Sequence, residues 1–238
     1  MPAERFYIDD PLTVESEVIL DEVESHHLIH VLRGTTGESV ELVNGRGTLA
    51  KAKILFCKKK EARLAITSAH FEFPAPAEII LAQAIPRPNR LDFIVEKGTE
   101  LGMTQLWLFP GIQGERLSLT AHQIERCHQQ ARSAMKQCGR RYLPTITVKP
   151  LLSKWECATP YISLYGSLAS DAPKVELSSE DLQKGIVFYI GPESGFAPQE
   201  IDILEKRGAR GVKLHSHILR TDTAALSALS IISYLQLI

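Results

Sequence analysis

The spacing of apolar and polar residues changes near residue 73 of this 238-residue chain. Before that point, short apolar runs of strand length are separated by the turn Asn44-Gly45-Arg46-Gly47 and by three lysines at 58–60. The predicted strands cover residues 39–43, 48–56 and 63–67. This pattern predicts a small β-barrel, and residues 26–32 predict a short helix that closes it.

After residue 77, strand-length apolar runs alternate with stretches of helical period, which predicts an α/β domain with a parallel sheet and crossover helices. The predicted strands are 78–84, 105–109, 161–165, 186–190 and 211–214, and the predicted helices are 91–101, 121–138, one from Pro198 and one capped by Thr221 or Asp222. Two prolines in the segment Phe73-Pro74-Ala75-Pro76-Ala77 predict a linker. We therefore expect two domains, residues 1–72 and 73–238.

Two strand-to-helix loops in the last third carry more chemistry than a turn requires. They read Gly191-Pro192-Glu193-Ser194-Gly195-Phe196 and His217-Ile218-Leu219-Arg220-Thr221-Asp222-Thr223-Ala224. Open α/β sheets bind ligands at the carboxyl ends of their strands. One loop has a carboxylate between two glycines, and the other has an arginine next to hydroxyl groups at the start of a helix. Together they indicate one small-molecule site. The alternative is that both are ordinary turns.

Charge is segregated along the chain although the net charge is only −1. Residues 1–72 hold 9 Lys and Arg against 12 Asp and Glu, whereas residues 83–149 hold 10 against 5. A locally basic segment attracts polyanions. Within the predicted helix 91–101, Arg90 and Lys97 lie at the edge of the apolar stripe, where they border a cleft or form ordinary surface pairs.

Neither a metal site nor a membrane span is predicted. The cysteines Cys57, Cys127, Cys138 and Cys157 form no Cys-x-x-Cys pair, which suits reduced thiols in a cytosol. His26 and His30 are four residues apart but lack a third ligand. The apolar stretch 223–238 is shorter than the roughly 18 residues of a spanning helix, and no charged-then-apolar leader opens the chain. We expect a cytoplasmic protein.

The two loops resemble those of the RsmE family of 16S ribosomal RNA uridine-N3 methyltransferases, within the SPOUT superfamily. Its loops read Gly-Pro-Glu-Gly-Gly-Phe and Leu-Gly-x-Arg-Ile-Leu-Arg-Thr-Glu-Thr-Ala. The resemblance continues through residues 27–33 with Gly37-Glu38, through Glu96-Lys97-Gly98-Thr99-Glu100-Leu101-Gly102 and through Gln137-Cys138-Gly139-Arg140. This chain departs from the family at Lys136, Ser194, His215, His217 and Asp222.

The resemblance implies an architecture that the pattern alone does not give. It implies a PUA-like RNA-binding barrel followed by a SPOUT domain with a trefoil knot, S-adenosylmethionine as cofactor, ribosomal RNA or the small subunit as partner, and a homodimer. The hydrophobic pattern by itself indicates an unknotted Rossmann-like sheet, because knots are rare.

The resemblance also implies roles for individual residues. Methylation at uracil N3 requires an exposed base and removal of a proton. Arg220 is expected to stabilise charge on the uracil oxygens, while Glu193, Glu100 and Asp222 are candidate bases that the sequence does not rank. The residues expected to bind the cofactor are Leu164, Tyr165, Gly166, Ile190, Gly191, Pro192, Gly195, Leu214, His215, Ile218, Leu219, Thr221 and Ala224. Those expected to bind RNA are Arg5, Arg33, Arg87, Arg90, Lys97 and Arg140.

Three alternatives stay open at this stage. The departures from the family pattern fit a non-catalytic RNA-binding assembly factor, which would not bind S-adenosylmethionine usefully. A SPOUT enzyme with another target, such as ribose 2′-O, would differ in the atom that it methylates. A Rossmann-type enzyme acting on a small molecule would need a Gly-x-Gly-x-x-Gly fingerprint or a Walker lysine, and the sequence contains neither.

Overall fold

The computed structural model describes residues 4–58, 60–155 and 160–237, so that Lys59 and Cys157 lie outside the described residues. The chain forms two compact units. The first consists of Met1–Pro74 with Arg132–Leu143, and the second of Ala75–Ala131 with Pro144–Ile238. The domain boundary between residues 72 and 73 stays a prediction, and nothing in the sequence pattern indicated that Arg132–Leu143 would group with the first unit.

A five-stranded sheet, in the order β1-β3-β4-β5-β2, forms the first unit. Its strands are β1 Arg5–Tyr7, β2 Glu17–Ile19, β3 Ser39–Val43, β4 Thr48–Lys58 and β5 Glu61–Phe71. In β4, Ala50, Ala52 and Ile54 are buried while Lys51 and Lys53 are exposed, which is the alternation of a strand with one face on the core. The three predicted strands are confirmed, and β4 and β5 extend further than predicted because they pair as one long hairpin.

The first helix begins earlier than predicted. α1 covers Glu22–His26 and continues as a π-helical turn over His27–Val31. The Asp21 side chain accepts a hydrogen bond of 2.8 Å from the Glu24 backbone N–H and so caps the helix. The predicted range of 26–32 is therefore wrong at its start, and the missed signal was the aspartate followed three residues later by glutamate.

A six-stranded parallel sheet forms the second unit, in the order β11-β9-β10-β6-β7-β8. Its strands are β6 Ile79–Ala84, β7 Gln105–Phe109, β8 Thr145–Val148, β9 Ile162–Gly166, β10 Ile186–Ile190 and β11 Arg210–Val212. Its helices are α2 Pro88–Glu100, α4 Ser179–Lys184, α5 Pro198–Lys206 and α6 Thr221–Gln236, and a short 3₁₀ turn covers Leu152–Lys154. The helix α3 Ala121–Cys138 belongs to this unit up to Ala131 and to the first unit from Arg132. Every residue of β6 and β10 is buried, as expected for central parallel strands covered on both faces.

One strand and one α-helix of the second unit were not predicted. β8 is a four-residue edge strand whose end residues are exposed, so it carries no apolar run. α4 is a six-residue helix without a buried residue. Its Ser178 and Asp181 form a capping box, a signal that was available in the sequence. Within the described ranges, no helix is long and apolar enough to cross a membrane.

A mostly buried ion pair joins the end of α3 to α1 in the first unit. Lys136 Nζ lies 2.5 Å from Glu24 Oε1, and the two side chains are 20% and 8% exposed. Lys136 stands where the RsmE family has glutamate, and here the ammonium neutralises a buried carboxylate. This departure from the family pattern therefore has a structural partner.

Replacing Lys136 with methionine leaves the Glu24 carboxylate buried without its counter-charge. We expect Lys136→Met to lower the free energy of unfolding by about 3 kcal/mol, measured by urea denaturation followed by circular dichroism. The matched control is Lys184→Met, because the Lys184–Glu180 pair is exposed and exposed pairs contribute little to stability. Equal losses in the two variants would contradict this account.

Candidate active site

The loops that follow β9, β10 and β11 line one cavity of about 540 Å³ at the carboxyl ends of these strands. The two loops singled out in the sequence lie together here, with Ser167, Leu168 and Ala169 of the loop after β9 as a third wall. Twelve of the residues expected to bind a cofactor line the cavity, namely Tyr165, Gly166, Ile190, Gly191, Pro192, Gly195, Leu214, His215, Ile218, Leu219, Thr221 and Ala224. Leu164 is buried in the sheet instead.

Sequence reasoning missed part of the cavity wall. Ile201 and Glu205 reach it from α5, and Glu205 accepts a hydrogen bond of 2.8 Å from the Tyr165 hydroxyl. Burial, together with that hydrogen bond, raises the pKa of Tyr165 to about 12, so its hydroxyl stays protonated at neutral pH. The spacing of Ile201 and Glu205 on one face of α5 was the available signal.

The conformation of the Gly191–Phe196 loop requires its glycines. A Cβ on Gly191 would lie 3.0 Å from the Phe196 backbone nitrogen, and Gly195 has a φ of +83°. The Gly195 N–H donates to the Pro192 carbonyl at 2.9 Å and closes the turn. Both glycines line the cavity, so this tight turn of the backbone forms part of its wall.

Ser194, a departure from the family pattern, has a defined partner. Its hydroxyl donates a hydrogen bond of 2.6 Å to the Gln113 carbonyl, which lies in the loop after β7. The buried Glu200 carboxylate accepts from the backbone N–H groups of Ile112 at 3.1 Å and Ala197 at 2.9 Å. The loop is thus anchored on both sides.

Thr221 joins the two site loops to the central strand β6. Its hydroxyl donates to the Gly191 carbonyl and accepts from Gln83 Nε2, both at 2.9 Å, and Gln83 is fully buried. The prediction that Thr221 or Asp222 caps α6 is wrong, because Arg220 is the N-cap residue and Thr221 is the first helical residue. The Thr221 hydroxyl bonds across the sheet rather than to its own helix.

The predicted catalytic residues occupy different environments. Glu193 lines the cavity, while Asp222 lies in the first turn of α6 outside the lining. Arg90 Nη1 lies 3.0 Å from Asp222 Oδ1, and Arg90 Nε lies 3.5 Å from Glu193 Oε1. The Arg90 guanidinium therefore contacts two carboxylates, one from the loop after β10 and one from the first turn of α6.

Arg220 is exposed between the cavity-lining residues Leu219 and Thr221. Its guanidinium makes no hydrogen bond or ion pair with any residue in the part of the chain that the structure describes. Because both of its sequence neighbours line the cavity and no described residue pairs with it, this cation is available to an anionic ligand.

Glu100 is not brought to the cavity. Lys97 Nζ lies 2.8 Å from both Glu100 Oε1 and Glu96 Oε1 on the same helix, and these hydrogen bonds raise the pKa of Lys97 above its usual value. Lys97 therefore stays charged, and the predicted pair of Lys97 and Glu100 forms a surface ion-pair group on α2.

The remaining predicted RNA-binding arginines differ in exposure. In the first unit, Arg33 is exposed, whereas the Arg5 side chain is 12% exposed and pairs with Glu41 at 2.7 Å. Burial lowers the pKa of Arg140. In the second unit, Arg87 is exposed and pairs with Glu115 at 2.7 Å. Across residues 4–58, 60–155 and 160–237, no group of three His, Cys, Asp or Glu side chains is arranged to hold a metal ion.

Two family models match this chain. A family model described as RNA methyltransferase domain matches residues 73–233, and one described as RNA methyltransferase PUA domain matches residues 20–67. The ribosomal RNA small subunit methyltransferase E of Buchnera aphidicola is 27% identical over 95% of this chain and 91% of its own length. The Synechocystis protein of the same name is 29% identical over 98% and 78%.

Solved structures give the same result. The ribosomal RNA small subunit methyltransferase E of Neisseria gonorrhoeae, bound to S-adenosyl methionine, has a TM-score of 0.86 and 29% identity over 98% of both chains. A putative methyltransferase from Legionella pneumophila, also with this cofactor, has a TM-score of 0.85 and 25% identity over 99% and 98%.

These matches confirm the predicted fold class, a PUA-like domain followed by a parallel-sheet SPOUT domain, while the knot stays a prediction. Since the RNA methyltransferase model covers more than half of the chain, the protein belongs to the RNA methyltransferase family that includes the RsmE proteins.

Proposed function

We propose that this protein transfers a methyl group from S-adenosylmethionine to N3 of a uridine in 16S ribosomal RNA. The observation that carries the proposal is the 540 Å³ cavity, which has Glu193 in its wall, with Arg220, unpaired among the described residues, between the lining residues Leu219 and Thr221. The names of the relatives and the cofactor of the Neisseria gonorrhoeae protein support the choice of cofactor and RNA.

The residues of the cavity suit S-adenosylmethionine. Its volume lies within the range of about 300–1,000 Å³ that is usual for small-molecule sites. Ile190, Leu214 and Leu219 supply apolar walls for a purine ring, and the loop at Gly191 offers backbone polar groups at a position where a side chain would clash. Bound there, the cofactor would supply the methyl group as the electrophilic carbon of its sulfonium.

We infer that Glu193 accepts the N3 proton. Among the three carboxylates that the sequence left unranked, Glu193 lines the cavity, whereas Asp222 and Glu100 lie outside its lining. A base must reach the proton that it removes, so position decides between them before basicity does.

Arg220 is proposed to stabilise the negative charge that develops on the uracil carbonyl oxygens as the proton leaves. A cation fixed before the reaction needs no reorganisation, which makes such groups effective in catalysis. Arg220 is the N-cap residue of α6, and its neighbour Thr221 is buried and hydrogen-bonded on both sides, so the backbone that carries the guanidinium is held in place.

RNA binding is proposed for two exposed arginines. Arg33 in the first unit is exposed, and Arg87 in the second forms an exposed ion pair that contributes little and is readily exchanged for a phosphate. A ribosomal RNA substrate implies that the protein acts in the cytoplasm, where ribosomes are assembled.

A homodimer is also proposed. Two apolar side chains that line the cavity are largely exposed, Leu168 at 73% and Ile218 at 81%. Exposed apolar side chains at a site favour coverage by another surface. The family resemblance implies that this surface is a second copy of the chain.

The cofactor pocket is expected to depend on the Thr221 hydroxyl. Thr221→Val removes the hydroxyl that donates to the Gly191 carbonyl and accepts from Gln83 Nε2, and the loss of these two hydrogen bonds costs about 1.4 kcal/mol. We expect the dissociation constant for S-adenosylmethionine to rise about tenfold, measured by calorimetry. Thr223→Val is the matched control, because Thr223 is exposed on the same helix. Unchanged affinity in Thr221→Val would count against this role.

Arg220 is expected to raise the rate of methyl transfer without contributing to the affinity for S-adenosylmethionine. With purified small subunits as substrate, Arg220→Ala should lower kcat by about 100-fold while the affinity for S-adenosylmethionine stays the same, and Arg220→Lys should recover part of the rate. Arg210→Ala, an exposed arginine on β11, serves as control. The assay is mass spectrometry of digested RNA for 3-methyluridine. Detection of a nucleoside methylated on its ribose, instead of 3-methyluridine, would show that the enzyme methylates another atom.

The oligomeric state is tested by light scattering on the purified chain. We expect a mass twice that of one chain at micromolar concentration, because exposed apolar residues at the cavity would be covered in a dimer. A monomer at these concentrations that still methylates RNA would contradict the proposed dimer.

A further inference from the structure

Arg90 occupies an unusual position for a residue expected to bind RNA. It lies in the first turn of α2, and its side chain is only 19% exposed. Its guanidinium contacts two carboxylates, Asp222 at 3.0 Å and Glu193 at 3.5 Å. These carboxylates come from the loop after β10 and from the start of α6, so one side chain joins three parts of the second unit.

The contacts of Glu193 come from the start of α2. Glu193 Oε1 accepts a hydrogen bond of 3.3 Å from the Arg87 backbone N–H and lies near Arg90 Nε. Neither the Glu193 nor the Asp222 side chain is more than 28% exposed. The direction of the Glu193 side chain along the cavity wall is therefore set by α2, a helix that contributes no residue to the cavity lining.

Asp222 is held from two sides. Its Oδ1 accepts from the Thr223 backbone N–H at 3.0 Å and from Arg90 Nη1 at 3.0 Å. Asp222 stands in the first turn of α6, where the helix dipole favours a negative charge. Without Arg90, two carboxylates would face each other with no cation between them.

We infer that Arg90 is a positioning residue that holds Glu193 in the cavity wall and locks the start of α6, rather than a contact for RNA phosphates. The inference rests on the proposed function, in which Glu193 accepts the N3 proton. A phosphate would have to displace two carboxylates that already share the guanidinium. Loss of Arg90 then acts on the chemical step through Glu193 and leaves the RNA interface intact.

The test compares Arg90→Met with Arg126→Met. Arg126 makes a similar pair with a carboxylate of α2, Asp92, at 2.7 Å, and stands outside the proposed site. We expect Arg90→Met to lower kcat about 100-fold, because a displacement of about 1 Å at a reacting group has an effect of that size. The KM for RNA, the RNA dissociation constant and its dependence on salt should stay at the wild-type values, and Arg126→Met should match the wild type throughout.

Arg90→Lys adds a second readout. Lysine keeps the charge but lacks the planar fork that contacts two carboxylates at once, so we expect partial recovery of kcat. The opposite pattern would overturn the inference. If Arg90→Met weakened RNA binding, lowered the slope of log K against log salt by about 1 and left kcat at saturating RNA unchanged, Arg90 would be a phosphate contact. An unchanged kcat with unchanged RNA binding would also overturn it.

A thermal double-mutant cycle tests the pairing without any activity. The Tm of Arg90→Met, Asp222→Asn and the double variant is compared with the wild type. We expect the double variant to lose less than the sum of the single losses, because Asp222→Asn removes a charge that Arg90→Met leaves unpaired. Additive losses would overturn the inference. If the wild-type chain methylated no uridine, the proposed function would fail, and this cycle would still decide whether Arg90 is coupled to Asp222.

Discussion

A short chain of buried hydrogen bonds at the centre of the parallel sheet underlies the geometry of the site. Gln83 on β6 donates to the Thr221 hydroxyl, which donates to the Gly191 carbonyl at the end of β10. Gln83 and Thr221 are buried, so water does not replace a lost partner, and a break would leave unsatisfied polar groups. Two of the three loops that line the cavity are therefore fixed to the same strand, which gives this part of the cavity a defined shape before any ligand binds.

Charge in the second unit is arranged around this framework. Asp222 and Glu193 share the guanidinium of Arg90 on one side, while Arg220 carries a positive charge without a partner among the described residues. Carboxylates that are paired with a cation, together with a cation that no described residue pairs with, suit a reaction in which negative charge develops on the uracil. Lys97 and Glu100 form a separate group on α2, away from the cavity lining. Arg90 thus holds the carboxylates of the site in place, whereas Arg220 is proposed to act on the substrate.

The sequence predicted much of this fold wherever apolar runs were bounded by turn residues. Strands Ser39–Val43, Gln105–Phe109 and Ile186–Ile190 and helix Ala121–Cys138 have the predicted limits because each has a clear period and a clear end. The edge strand Thr145–Val148 was missed because half of its residues are exposed and no apolar period exists to detect.

The sequence predicted the loops of the site but not the residues that hold those loops in place. Glycine, proline and glutamate in Gly191–Phe196 signal a ligand loop by their backbone requirements. Arg90 meets Asp222 across 132 positions of sequence, and Gln83 meets Thr221 across 138. Such pairs follow from the strand order of the folded sheet, which no local pattern contains. Ser194 and Lys136 differ from the family, and each has a partner that only the structure reveals.

The central claim is that this chain methylates N3 of a uridine in small-subunit ribosomal RNA. The most direct measurement is mass spectrometry of that RNA, digested to nucleosides, from cells with and without the gene. The account predicts that 3-methyluridine disappears without the gene and returns with the wild-type chain but not with Arg220→Ala. An unchanged level of 3-methyluridine in cells that lack the gene would contradict it.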